Sequence, residues 1–147
     1  MDIDNYLGQI FSLRGKKVSL VTGASRGLGR EYALTLAHAG SDLIVIGRNR
    51  KELQSLRNEL STTGTKMHVL PGDLSHLKET PGLVQRSVEE FGKIDILINN
   101  AGMNIRKPIL ELTEEDLKKV IDLNLMSVFL MSQHAGRQMI QKGWENC

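Results

Sequence analysis

The chain has 147 residues, 40% of them hydrophobic, with 19 Lys and Arg against 17 Asp and Glu for a net charge of +2. Such a chain is long enough to bury a core as one domain, and its single cysteine, Cys147, excludes a disulfide framework or a cysteine-based zinc site. The slight charge, with bases interleaved among acids as in Arg50-Lys51-Glu52, excludes a nucleic-acid surface, and no apolar run reaches the ~18 residues of a membrane span.

Met1–Tyr6 carries no basic segment ahead of an apolar one, so no signal peptide is read there. With the lone cysteine this points to a cytoplasmic protein without nucleic-acid or membrane partners.

Short apolar runs alternate with amphipathic stretches at the spacing of βαβ units, which predicts an α/β fold. Four runs rich in β-branched residues read as buried parallel strands: Val18–Val21, Leu43–Ile46, Met67–Leu70 and Ile94–Ile98. Between them, helices are predicted over Leu28–Ala39, closed by Gly40, over Glu52–Leu60 and over Gly82–Phe91. A last helix begins at the Thr113 cap, before the acids of Glu114-Glu115-Asp116, and is predicted to run unbroken to about Gln141. Its apolar residues, among them Leu117, Ile121, Leu125 and Phe129, spread wider than one sheet-facing stripe and predict a second partner surface.

The strongest chemical signal is Thr22-Gly23-Ala24-Ser25-Arg26-Gly27-Leu28-Gly29, between the first strand and the first helix. Glycines at such a turn permit left-handed backbone, close approach of a pyrophosphate and tight helix–strand packing, while the helix N-terminus offers free N–H groups to an anion. A ligand-free glycine turn is the bland alternative. It leaves unexplained three glycines that each cost about 0.5–1 kcal/mol in regular structure.

This Gly-x-x-x-Gly-x-Gly spacing resembles that of the short-chain dehydrogenases/reductases, and three more segments fall in that family's order. Asp73, followed by Leu74, stands after the third strand, where the resemblance implies a contact with adenine. Asn99-Asn100-Ala101-Gly102 follows the fourth and is similar to the family motif that steadies the sheet and borders the cofactor. Asn124 matches the asparagine that joins the catalytic group through a water relay. Asparagine is also a poor residue for a helix interior, and among apolar neighbours an unpaired amide would cost about 1–3 kcal/mol. Cofactor-binding residues are therefore expected at Gly23, Ser25, Arg26, Gly27, Leu28, Gly29, Arg48, Asn49, Asp73, Leu74, Asn100, Ala101 and Gly102, with Asn124 as the catalytic residue.

The second strand leads into Gly47-Arg48-Asn49-Arg50, without an acid to accept from a ribose 2′-hydroxyl and with cations suited to a 2′-phosphate. With Arg26 in the glycine turn, this predicts NADP(H) in preference to NAD(H).

The resemblance implies a Rossmann-type doubly wound parallel sheet of seven strands, of which residues 1–147 would supply the first four, in the order 3-2-1-4, as one dinucleotide-binding domain ending before a fifth strand. It also implies hydride transfer between a ketone and a secondary alcohol, with a Tyr-x-x-x-Lys pair moving the proton. The two tyrosines, Tyr6 and Tyr32, have Ile10 and Leu36 four residues on, so that pair is absent. The chain is expected to be inactive alone, with Tyr32 read as packing. Met103–Pro108 resembles members acting on sugar acids or polyols, gluconate 5-dehydrogenases in particular, with 3-oxoacyl-carrier-protein reductases as rivals. In the full-length form the 113–141 helix would make a homo-oligomer, a dimer or tetramer. From a different class, the glycine turn and that helix would also suit a non-catalytic dinucleotide-binding or interaction module. The histidines His38, His68, His76 and His134 show no metal-ligand spacing.

Overall fold

The computed structural model describes residues 12–13 and 17–141. The sequence readings on Tyr6 and on residues 143–147, Cys147 included, lie outside them. In chain order the elements are β1 (Val18–Thr22), α1 (Gly27–His38), β2 (Asp42–Gly47), α2 (Arg50–Glu59), β3 (Met67–Pro71), α3 (Thr80–Phe91), β4 (Ile96–Ile98), α4 (Glu114–Ile121) and α5 (Ser127–Gln141).

The strands form one parallel sheet in the order β3-β2-β1-β4. The chain steps from β1 outward to β2 and β3, then returns to the other side of β1 to lay down β4. That reversal makes the sheet doubly wound and opens a crevice at the carboxyl ends of β1 and β4. Register is set by the period of two along each strand. Val18, Leu20, Ile44, Ile46 and Leu70 face a core completed by Leu83 and Val84 of α3 and by Met131 and Ala135 of α5. Val21, Leu43 and Val45 face the opposite core, completed by Ala33 and Ala37 of α1 and by Leu53 and Leu56 of α2. Most of these side chains are fully buried, each contributing roughly 1.5–3 kcal/mol if large and aliphatic.

Helix ends follow local chemistry. The Asn49 side chain caps α2 by accepting from the N–H groups of Lys51 and Glu52, and Gly92, at φ +76°, closes α3 in the left-handed region. Thr113 and Asp116 cap α4 reciprocally.

Two expectations need correction. The helix predicted over 113–141 is not continuous α-helix, because residues Asp122–Met126 between α4 and α5 form a π-helical turn. Tyr32 is not a packing residue, since it stands 42% exposed on the outer side of α1. The expected width of the α4–α5 apolar surface is present: Leu117, Ile121, Leu125 and Phe129 are exposed at a spacing of four residues. No helix among the described residues is long and apolar enough to cross a membrane.

Candidate active site

The crevice at the strand ends is a cleft of about 530 Å³, and its floor is the turn between β1 and α1. Gly23 and Gly27 adopt φ of +67° and +56°, a region that side chains with a Cβ enter only under strain. A Cβ on Gly23 would meet the Ala101 Cα at 2.8 Å, so this glycine also lets the β1 and β4 turns touch. A Cβ on Gly29 would collide with the Gly23 carbonyl and the Asn100 amide. Around Gly27, by contrast, a Cβ would meet nothing within 4 Å, and the space in front of it belongs to the cleft.

Helix α1 starts from Arg26, whose backbone is extended and whose side chain makes no capping hydrogen bond. Its first turn contains no acid. The N–H groups at this positive end therefore have no side-chain partner, unlike those of α2 and α4, which Asn49 and Thr113 satisfy. An uncapped helix start behind a glycine turn suits the diphosphate of a dinucleotide.

Thr22 joins the two sides of the crevice. Its Oγ1 accepts from the N–H groups of Asn100 and Ala101, both at 3.0 Å, and donates to the Ile98 carbonyl at 3.3 Å. The Asn100 side chain answers by donating to the carbonyls of Thr22 and Gly23 at 3.1 and 3.2 Å. The Asn99-Asn100-Ala101-Gly102 segment thus holds the glycine turn in place, and Asn99 Nδ2 reaches α5 by donating to Ser132 Oγ at 2.9 Å.

Of the thirteen expected cofactor-binding residues, all but Gly29 line the cleft: Gly23, Ser25, Arg26, Gly27, Leu28, Arg48, Asn49, Asp73, Leu74, Asn100, Ala101 and Gly102. Gly29 lies buried beneath it, packed on Gly23 and Asn100. Leu74 is 4% exposed and Leu28 67% exposed, so one belongs to the wall and the other to the rim. Asn124 is not in the lining. Nor is it buried among apolar neighbours as its sequence context suggests, since the π-helical turn leaves it exposed. Its amide is nonetheless paired at both ends with one peptide unit: Oδ1 accepts from the Met103 N–H and Nδ2 donates to the Met103 carbonyl, each at 2.8 Å.

The sequence reading missed Ile46, Gly47, Glu52, Gly72 and Leu123, which also line the cleft. Gly47 and Gly72 were findable as glycines at strand ends. A Cβ on Gly47 would meet Ser25 Oγ at 2.5 Å, and one on Gly72 would meet Leu83 at 2.8 Å. Glu52, on the first turn of α2, lines the cleft as well, which the strand-end pattern does not show.

Beyond the ends of β2 and β3, Arg48 and Asp73 stand in the cleft lining 4.0 Å apart. Asp73 Oδ1 accepts from the N–H of Ser75 at 3.0 Å and from its hydroxyl at 2.8 Å. Partial burial by itself raises the Asp73 pKa, but these hydrogen bonds, with the charges of Arg48 and His76, outweigh it and hold the carboxyl below its usual range. Among the described residues no group of three or more His, Cys, Asp or Glu is placed to hold a metal ion.

The family model for short chain dehydrogenases matches residues 17–145. The chain belongs to the short-chain dehydrogenase family. It is 44% identical over 133 residues to the 2-dehydro-3-deoxy-D-gluconate 5-dehydrogenase of Escherichia coli strain K12, an alignment that covers 90% of this chain and 51% of that enzyme. A 3-oxoacyl (acyl-carrier-protein) reductase from Agrobacterium tumefaciens C58, solved with NADP bound, superposes with a TM-score of 0.85 at 35% identity. That match covers 94% of this chain and 53% of the reductase. The 2-keto-3-deoxy-D-gluconate dehydrogenase of Streptococcus agalactiae gives a TM-score of 0.80 at 34% identity, covering 95% and 52%. The chain therefore spans about half the length of the relatives it matches, all of them oxidoreductases by name.

Proposed function

We propose that these residues form the cofactor-binding part of an NADP(H)-preferring cytoplasmic oxidoreductase that interconverts a ketone and a secondary alcohol of the sugar-acid class. The observation that carries the reading is the uncapped start of α1 behind Gly23 and Gly27, opening on a cleft at the reversal point of a doubly wound sheet. The residues present fit a dinucleotide. The α1 amides and the glycine turn would hold the diphosphate, Asp73 and Leu74 would border the adenine, and Arg48 and Arg26 would face a ribose 2′-phosphate, with Asn49 beside them. Asn100, Ala101 and Gly102 would flank the nicotinamide end. When bound, the dinucleotide supplies or accepts the hydride.

What the chain itself contributes is binding and positioning. Asn124 holds the Met103 peptide directly after the Asn99–Gly102 turn, and so steadies the segment that follows β4. In the family that the chain resembles, a tyrosine whose pKa a lysine four residues on lowers moves the proton, and Tyr6 and Tyr32 lack such a lysine. The 147 residues alone are therefore expected to bind dinucleotide weakly at most, as one domain, and to turn nothing over. The exposed stripe of Leu117, Ile121, Leu125 and Phe129 supports a homo-oligomer formed through α4 and α5.

The sugar-acid assignment draws on the names of the gluconate-type relatives. Two measurements test the proposal. NADPH should bind more tightly than NADH by calorimetric titration, and equal or tighter NADH binding would remove the NADP preference. A protein that contains this chain together with a Tyr-x-x-x-Lys pair should oxidise NADPH with 5-ketogluconate. Oxidation with acetoacetyl thioesters alone would move it to the acyl-carrier-protein reductases, and activity on neither would remove both classes.

A further inference from the structure

We infer that Asp73 sets how strongly the cleft selects a 2′-phosphate, because it engages Arg48 across the adenosine end of the cleft and a phosphate must take Arg48 from it. This rests on the reading above that the cleft takes a dinucleotide.

The two residues are neighbours by topology. Gly47 of β2 is in register with Pro71 of β3, and the Gly72 N–H donates to the Gly47 carbonyl at 3.1 Å, one residue beyond the ladder. Arg48 follows Gly47 and Asp73 follows Gly72, so the two leave the sheet as neighbours just past the strand ends and line the same cleft.

The Asp73 carboxylate is held in place. Its Oδ1 is occupied by both donors of Ser75, while Oδ2 is the oxygen that faces Arg48 Nη1 at 4.0 Å. That separation is an ion pair without a hydrogen bond, made by a guanidinium that is 69% exposed and has no other ion pair among the described residues. An exposed, single-point pair of this kind is weak. A phosphate dianion offers several acceptor oxygens to the planar fork of Arg48, and outcompetes the lone Oδ2. A 2′-hydroxyl has no charge with which to do so.

Asp73 then acts against the phosphate in two ways that do not touch an unphosphorylated ribose. It shares the charge of Arg48, and its own charge repels the dianion beside it. Removing that charge while keeping an acceptor for Ser75 should favour ligands bearing the 2′-phosphate over those without it.

The test is a double-mutant cycle on the protein as encoded, using Asp73→Asn, Arg48→Ala and the pair, with 2′,5′-ADP and 5′-AMP as probes. In the wild-type background, Asp73→Asn should raise the affinity for 2′,5′-ADP relative to 5′-AMP by about fivefold, the ratio cancelling any change in the adenine contact that both probes share. In the Arg48→Ala background the gain for 2′,5′-ADP relative to 5′-AMP should fall to about twofold, the part left by direct repulsion. Asparagine keeps the acceptor for Ser75, and thermal unfolding of the variant verifies that the fold is retained. An unchanged or lower ratio of 2′,5′-ADP to 5′-AMP affinity in Asp73→Asn overturns the inference, as does an equal gain without Arg48. Failure of the underlying reading looks different. A wild-type protein that binds NADPH and NADH equally, while Asp73→Asn gains phosphate affinity through Arg48, loses only its assigned preference. A protein that binds none of these nucleotides loses both.

Discussion

The Asn124 side chain holds the Met103 peptide at both ends, taking its N–H on Oδ1 and giving Nδ2 to its carbonyl, each at 2.8 Å. The two residues are 21 apart in sequence, and the bonds tie the segment after β4 to the π-helical turn between α4 and α5. The extra residue that widens this turn breaks the α-helical ladder, and the paired amide offsets part of that loss. Asn124→Ala should cost about 1–2 kcal/mol in urea unfolding, roughly two ordinary hydrogen bonds. Asn124→Asp should cost at least as much as alanine, because it keeps the acceptor for the Met103 N–H but turns a second oxygen on the Met103 carbonyl. A variant as stable as wild type would show that the pairing contributes nothing.

Thr22 gives a sharper case because it is 1% exposed and its hydroxyl serves three partners. Thr22→Val keeps the shape but leaves the N–H groups of Asn100 and Ala101 without their acceptor. A loss of about 2–4 kcal/mol is expected, with Thr22→Ser losing much less. Chemical denaturation of the two variants side by side tests this, and equal losses would point to the methyl group instead.

These two residues also mark the limit of what the sequence carries. The four strands and the helices that cover the sheet follow from short β-branched runs and from the spacing of leucines, whereas the strand order comes from the family resemblance. The glycine turn is legible because left-handed backbone at a strand-to-helix junction demands glycine at Gly23 and Gly27. The π-helical turn is not legible, since it answers to a tertiary partner, Met103, that no periodicity announces. For the same reason Asn124 reads as a buried amide when it is an exposed one with both ends paired. The proximity of Arg48 to Asp73 needs the pairing of β2 with β3 before it can be seen. Asn49 illustrates a second difficulty: an asparagine just ahead of a helix is an N-cap by local rule, yet it also stands in the cleft lining, and sequence alone weighs only one role at a time.

Asp116 supplies a prediction in pH. The Lys107 ammonium hydrogen-bonded to it at 2.6 Å, with the Thr113 N–H behind, lowers its carboxyl pKa to about 2. An unfolded aspartate titrates near ~3.9. The folded-state value is the lower one, so the stabilisation is fully present above the unfolded pKa and is lost as pH falls through the folded one. Between about pH 4 and pH 2 the wild-type protein should lose stability faster than Asp116→Asn does, and the two curves should run parallel above about pH 5. Unfolding midpoints across that range provide the check, and parallel curves throughout would remove the role of the ionised pair.

Gly29 is required by its neighbours rather than by its own backbone. A single methyl there strikes the Gly23 carbonyl and the Asn100 amide. Gly29→Ala should therefore destabilise the fold by about 1–3 kcal/mol, the usual cost of overpacking, and should weaken nucleotide binding by displacing the glycine turn. Retained stability and affinity in that variant would mean that the turn yields freely.

The central claim is that the glycine turn ahead of α1 receives a diphosphate, and Gly27 tests it most directly. A side chain there has nothing within 4 Å to disturb, and meets only its own backbone strain, about 1–3 kcal/mol at φ +56°, and whatever enters the cleft. Titration of Gly27→Val with NADPH, in a preparation shown to be folded by circular dichroism, should give a dissociation constant at least about tenfold weaker than wild type. The same dissociation constant in the folded variant would contradict the account.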